Sequence, residues 1–321
     1  MIRVAQGIDE LHVVFGTGPL GLAVMRELRS RGRPVRLVNR SGKADVPQDT
    51  LIEVIKGDAA DPDSARLVCK GGTVVYNCVN PPYTQWPQKF PPMLNGIIEG
   101  AAAAGARLVS AENLYMYGPV SGPLTEELPY AATGPKGRTR AQMATTLLDA
   151  HRSGKVRATI GRASDFFGPY VLESAVGERV LGSALTGKAA DVMGNPDVLH
   201  TYTFIEDFAR GLVTLGERDE ALGKAWHIPS AETLTTRQFV ELVYREAGTT
   251  PKLRVASRFL IGAMGLFNPM VRELKEMFYE FDAPFVVDHS RYERAFGSRT
   301  TPHEEAIRKT LEWYRQRVPA G

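Results

Sequence analysis

The chain has 321 residues, 43% of them hydrophobic and 23% charged, which is ordinary for a folded protein long enough to bury a sizeable core. Its 39 basic and 36 acidic residues leave a formal charge of +3 with no dense basic block, which argues against nucleic acid as the main partner. Only Cys69 and Cys78 occur, without CxxC spacing, and the histidines are scattered; no disulfide framework and no metal site are indicated, and a reduced, cytoplasmic setting is expected.

The chain opens with MIRVAQGIDE, which lacks the basic start and apolar core of a signal peptide. No run approaches the roughly eighteen apolar residues of a membrane span, so no membrane partner is expected. The apolar run Leu11, Val13, Val14, Phe15 then passes straight into Gly16-Thr17-Gly18-Pro19-Leu20-Gly21 and a helix-like segment ending near Arg31. A buried strand, a turn of small residues and a helix N-terminus are what backbone binding of a pyrophosphate needs: close approach, spare N–H groups and a positive dipole end. Pro19 suits a first helical turn, where its missing N–H costs little. This context predicts a dinucleotide site at Gly16–Gly21.

Val35, Leu37 and Val38 form the next strand, ending at Asn39-Arg40-Ser41. An NAD site would carry Asp or Glu here for the ribose hydroxyls, whereas an NADP site lacks it and pairs an Arg with the 2′-phosphate. A neutral Asn39 followed by a guanidinium and a hydroxyl therefore favours NADP, with NAD as the alternative. Ile52–Gly57 is a third strand leading to Asp58 and Ala59 at the adenine end, and Asp61 before Pro62 reads as a helix cap. Thr73–Val79 is a fourth, ending at Cys78, Val79 and Asn80 before Pro81-Pro82, which hold a rigid loop. Cys78, Val79, Asn80 and Tyr83 fall where an open parallel sheet faces its cofactor. Ile97–Ala104 is a small-residue helix and Arg107–Ser110 a fifth strand, placing Ser110 at the same edge. Strands alternating with helices predict an α/β, doubly wound parallel sheet of Rossmann type.

Several later segments carry a family resemblance: Tyr117-Gly118, Gly161–Pro169 (GRASDFFGP), His200–Ala209 (HTYTFIEDFA), Ala225–Ile228 with Leu234–Gln238, and the end from Asp288 to Trp313-Tyr314. In order and spacing the chain resembles the extended, atypical short-chain dehydrogenase/reductase superfamily of NAD(P)-dependent epimerase/dehydratase type. The resemblance implies an NAD(P)-binding domain over 1–165, to which a segment at about 199–216 returns, and a smaller mixed α/β substrate-binding domain over 166–321. It also implies a small-molecule substrate and a tendency to homodimerise.

In that family a Tyr-x-x-x-Lys pair on one helix face donates and tunes a proton, and a hydroxyl after the fifth strand holds the substrate oxygen. Counting forward from Tyr117-Gly118, the Tyr slot holds Lys136 and the Lys slot Arg140; the hydroxyl slot, near Ser110 to Asn113, holds Asn113, with Ser110 three residues earlier. No YxxxK occurs from Tyr115 to Ala150. Arg140 supplies charge and hydrogen bonds but no base; Lys136 is a candidate proton donor if burial tunes it, and Tyr115 is a candidate displaced acid. Surface exposure of a basic helix is the competing reading of Lys136 and Arg140. Tyr83, Phe166, Met193 and Tyr202 fall where such folds meet substrate. Met264, Phe267, Met270, Leu274, Met277 and Phe278 have helical spacing, with Phe281 beyond, and read as core or lid packing. No clear Arg cluster for a diphosphate is visible. The expectation is an NADP(H)-dependent oxidoreductase acting reversibly on a carbonyl or alcohol of a small, largely apolar substrate. The alternatives are an NAD-dependent nucleotide-sugar epimerase or dehydratase, and a non-catalytic dinucleotide sensor.

Overall fold

The computed structural model describes residues 10–256 and 275–317; Met264, Phe267, Met270 and Leu274 of the apolar series lie outside them. The chain forms two compact units. The first comprises Met1–Glu112, Pro135–Arg162 and Ala209–Trp226, and the second Asn113–Gly134, Ala163–Phe208 and His227–Gly321. Residues 113–134 thus go with the second unit, and the stretch that returns to the first is 209–226.

The first unit is built on β1 (Leu11–Phe15), β2 (Val35–Asn39), β3 (Ile52–Lys56), β4 (Gly72–Asn77), β5 (Arg107–Glu112) and β6 (Arg157–Arg162). These pair in parallel. A seventh strand, Ala225–His227, lies outside β6, giving the order 225–227, β6, β5, β4, β1, β2, β3. The family resemblance had put Ala225–Ile228 in the substrate domain. The backbone bonds Ile160 N to Lys224 O (3.0 Å) and Gly223 N to Ala158 O (2.8 Å) draw it to the sheet edge instead. Helices α1 (Pro19–Ser30), α2 (Pro62–Cys69), α3 (Trp86–Ala104) and α4 (Pro135–Arg152) supply crossovers, as parallel pairing requires. Covered strands are apolar on both faces, and in β1 Val13, Val14 and Phe15 are all buried. Asp61 caps α2 as expected, its carboxylate accepting from Asp63 N at 3.0 Å.

Helix α3 begins at Trp86, well before the expected Ile97, and runs through Pro91 and Pro92. Prolines remove backbone donors and normally end a helix. The buried face Trp86, Phe90, Leu94, Ile97, Ile98 and Ala101 keeps helical spacing across them, and its burial outweighs the lost bonds.

The second unit has a core including Phe167, Tyr202, Phe239, Val243, Ile307 and Tyr314. Its helix Thr236–Ala247 starts with a capping box between Thr235 and Gln238, and helix His303–Arg315 packs its Ala306, Ile307 and Leu311 into that core. Among the described residues no helix is long and apolar enough to cross a membrane.

Candidate functional site

Each glycine of the β1–α1 turn has its own physical reason. Gly16 has φ +100, and a Cβ there would lie 2.7 Å from the Cys78 carbonyl oxygen; it lets β1 turn against the end of β4. A Cβ on Gly21 would lie 1.9 Å from the Gly16 carbonyl oxygen, so only glycine allows α1 to start so close to the turn. Gly18 is different: it has ordinary φ, and a Cβ would meet nothing within 4 Å. That open space lies at the N-cap of α1, beside Pro19 in the first turn, where a diphosphate would sit against N–H groups. Thr17 and Leu20 are half-buried. The loop fits a dinucleotide.

Asn39, at the end of β2, organises the next turn. Its Nδ2 donates to Thr17 Oγ1 (2.8 Å) and to the Lys43 carbonyl (2.7 Å). Its Oδ1 accepts from Ser41 N (3.0 Å), Ser41 Oγ (2.9 Å) and Gly42 N (2.7 Å). The amide is thus spent within the protein, tying this turn to the glycine loop. Arg40 and Lys43 are exposed on it, and neither has an ion-pair partner among the described residues. Sequence reasoning missed Lys43, which lies three residues past the family position.

Farther along the edge, Asp58 is exposed and its carboxylate holds Ala60 N at 2.9 Å, while Ala59 is buried. Cys78 is buried and burial pushes its thiol up to about 12, so its backbone rather than its sulfur meets the loop. Val79 is half-buried and Asn80 exposed. Ser110 is fully buried and its hydroxyl accepts from Asn77 Nδ2 at 3.1 Å, a bond that joins β4 to β5.

The exposed-helix reading of α4 does not survive. Lys136 is 1% and Arg140 6% exposed. The Lys136 Nζ lies 4.5 Å from the Tyr83 ring centre, and the Arg140 guanidinium lies 4.5 and 4.1 Å from those of Trp86 and Phe90. These three rings pack edge to face, so one aromatic wall holds both cations. Next to it Glu112 and Arg162, opposite each other in β5 and β6, form a buried pair at 3.3 Å. Burial pushes the Glu112 carboxyl up while Arg162 and Arg140 pull it down. Sequence reasoning missed Trp86, Phe90, Glu112 and Arg162; the i, i+4 aromatic spacing before α4 was the available signal.

The other expected residues belong to the second unit. Asn113 Oδ1 accepts from Tyr115 N at 3.3 Å, and Tyr115 is half-buried in a single 3-10 turn, Tyr115–Tyr117. Phe166 packs on Phe208 at 6.4 Å between ring centres, and Met193 ends strand Ala190–Met193. Tyr202 departs from the expected substrate contact: it is 1% exposed, bonded to the Thr236 hydroxyl at 2.8 Å and packed on Phe239. Burial makes it a core residue.

The model of the NAD dependent epimerase/dehydratase family matches residues 13–228. The chain belongs to that family. It is an NAD(P)-dependent enzyme of the extended short-chain dehydrogenase/reductase superfamily. Among curated relatives, the mouse sterol-4-alpha-carboxylate 3-dehydrogenase, decarboxylating, is 26% identical over 72% of this chain and 67% of its own length. The Escherichia coli dTDP-glucose 4,6-dehydratase is 24% identical over 59% of this chain and 50% of its own length. The matched part thus spans about two thirds of the sterol enzyme and half of the dehydratase. The structure of dTDP-glucose 4,6-dehydratase DesIV from Streptomyces venezuelae, with NAD bound, superposes with a TM-score of 0.78 at 19% identity, over 95% of this chain and 97% of that one. The UDP-N-acetylglucosamine 4-epimerase of Methanobrevibacter ruminantium M1 gives 0.79 at 16% identity, over 97% and 99%. At such identities these structures share the fold.

Proposed function

We propose that this family member prefers NADP(H) and interconverts a carbonyl and an alcohol on a small, largely apolar substrate. The observation that supports the cofactor preference is the β2 turn. A neutral Asn39 is consumed by its own turn, and Arg40, Ser41 and Lys43 stand beside it, two cations and a hydroxyl suited to a 2′-phosphate. Gly16, Gly18 and Gly21 would give the diphosphate its approach, and Asp58 would stand towards the adenine. Bound NADPH would supply a hydride to a carbonyl carbon. Arg140 would hold the nicotinamide ribose in the place of the family's lysine, and Lys136 would supply positive charge for a carbonyl oxygen that becomes negative. The mouse relative's name, a dehydrogenase of a sterol carboxylate, favours an apolar substrate. Buried Cys69 and Cys78 remain thiols, which suits the cytoplasm. A homodimer is the assembly we propose.

The competing reading, an NAD-dependent enzyme of a nucleotide sugar, draws on the E. coli relative's name and on the NAD in the DesIV structure. Titration with NADPH and NADH, followed by nicotinamide fluorescence, separates the two. NADPH is expected to bind about tenfold tighter or better, and Arg40→Ala with Lys43→Ala to erase that margin while leaving NADH unchanged. A margin for NADH overturns the NADP reading. A panel of aldehydes and ketones with NADPH then tests turnover; none reduced overturns the carbonyl reading.

A further inference from the structure

In the first unit a single amide joins the glycine loop to the turn after β2, and its partners fix which of its atoms is which. Asn39 Nδ2 lies 2.7 Å from the Lys43 carbonyl oxygen, which only accepts. Oδ1 lies 3.0 and 2.7 Å from Ser41 N and Gly42 N, which only donate. The 2.8 Å bond between Nδ2 and Thr17 Oγ1 therefore has one direction: the amide donates and the hydroxyl accepts. A threonine hydroxyl has one hydrogen of its own, and it does not point at Asn39. Among the described residues Thr17 Oγ1 makes no other hydrogen bond. A half-buried hydroxyl, fixed by its lone pair, is left with a hydrogen to give.

Thr17 stands one residue before Gly18, the N-cap of α1, where a Cβ would meet nothing within 4 Å. On the other side of the amide the turn is tightly built. Asn39 O accepts from Gly57 N at 2.9 Å, just past β3, and Lys43 N donates to Ser41 Oγ at 3.2 Å. Gly42 has φ +68, and a Cβ there would stand 3.0 Å from that of Lys56, so a larger residue would push the turn off β3. The two amide hydrogens of Asn39 thus go to the hydroxyl of Thr17 and to the backbone of Lys43. A second tie, Gly16 N to Val38 O at 2.9 Å, holds the backbones of loop and strand together. It leaves the Thr17 side chain to Asn39 alone.

We propose that the Thr17 hydroxyl donates to the cofactor diphosphate, and that Asn39 is the positioning residue holding this hydroxyl and the Arg40–Lys43 turn as one piece, so that diphosphate and 2′-phosphate bind cooperatively. The 2′-phosphate half rests on the NADP reading above. Asn39 meets neither phosphate, because its hydrogens and its oxygen are committed within the protein. Accepting a bond from Nδ2 polarises the Thr17 O–H and makes it a better donor to an anion. The same amide keeps the Lys43 backbone in place, so its side chain starts from a fixed point. A cofactor that engages one end then meets the other already ordered; without Asn39 each end would be ordered separately, at the cost of affinity.

The test measures dissociation constants of the full chain for four probes: NADPH, NADH, ADP, which carries a diphosphate alone, and adenosine 2′-monophosphate, which carries the 2′-phosphate alone. Thr17→Val keeps the side-chain shape and removes the hydroxyl. It is expected to weaken NADPH, NADH and ADP about tenfold and to leave adenosine 2′-monophosphate within about twofold. Thr17→Ser, which keeps the hydroxyl, is expected to bind ADP as the wild type does. Asn39→Ala is expected to weaken both ADP and adenosine 2′-monophosphate, and to shrink the further cost of Thr17→Val on ADP to about twofold. An asparagine that only braced its own turn would leave ADP unmoved and the losses additive. Unchanged ADP binding in Thr17→Val, or additive losses in the double variant, overturns the proposal. If Asn39→Ala does not fold, Thr17→Val against Thr17→Ser still decides the hydroxyl, and equal ADP binding by the two overturns it. A wild-type chain that takes ADP and NADH but not adenosine 2′-monophosphate fails the NADP reading instead, while the two substitutions read on ADP still decide the Thr17–Asn39 bond.

Discussion

His12 in β1 shows how a single buried residue sets a pH limit. It is fully buried, stacked on Tyr76, with Nδ1 3.2 Å from the tyrosine hydroxyl. Burial, then Arg33 and Arg31, push its pKa down to about 4 from 6.5. The folded chain therefore prefers the neutral ring, while the unfolded chain takes up a proton below pH 6.5. That stabilising term is complete above pH 6.5 and is lost as pH falls towards 4, on the order of 3 kcal/mol in all. His12→Gln, which does not titrate, should flatten the fall in Tm between pH 7 and pH 5; an equal fall in both proteins would remove His12 as the cause. At this scale the glycine loop was legible, since Gly16, Gly18 and Gly21 follow an apolar strand. Lys136 and Arg140 were singled out by counting from Tyr117-Gly118. Their burial was not legible, because a Lys and an Arg at helical spacing read alike on a wet face or an aromatic wall. Tyr202 misled for a similar reason: position in a family segment says nothing about which way a ring points.

Among elements, α3 meets its neighbours backbone to backbone at two glycines. A Cβ on its Gly96 would stand 2.1 Å from the Ala59 carbonyl oxygen, and one on Gly100 would stand 2.7 Å from that of Ala65. The helix thus lies directly on the backbone at and before α2, and the β3 turn carrying Asp58 and Ala59 depends on it. Alanine at Gly96 would gain about 1 kcal/mol of helix propensity, but a contact at that distance forces the backbone apart, with overpacking costs of about 1–3 kcal/mol or more. Overpacking wins. Gly96→Ala should lower Tm and weaken dinucleotide binding together; a raised Tm would show that the helix can shift freely. The helix was half legible: its small-residue end announced itself, while the beginning, which holds Pro91 and Pro92, carried no helix signal.

For the molecule as a whole, each unit draws on distant parts of the chain. A doubly wound parallel sheet was readable from alternating strands and helices, but not the destination of Ala225–His227, which is too short to declare a partner. His200 finds Asp165 and Glu280 across 35 and 80 positions, a convergence that no spacing rule reveals. A fragment ending at residue 165 lacks the strand beyond β6 and the Arg107 contacts with Gly216 (3.0 Å) and Asp219 (2.7 Å). It should aggregate in light scattering where the full chain does not; a monodisperse fragment with native circular dichroism would show that the six strands suffice. The same arrangement governs how the protein is made. β6 leaves the ribosome at Arg162 but gains its outer neighbour only when Ala225–His227 emerges, a delay of about 3 to 13 seconds at about 5–20 residues per second. During that interval a row of unpaired amides and carbonyls faces solvent, so the nascent chain is most exposed to sticking, and most in need of a chaperone, just before its sheet is closed.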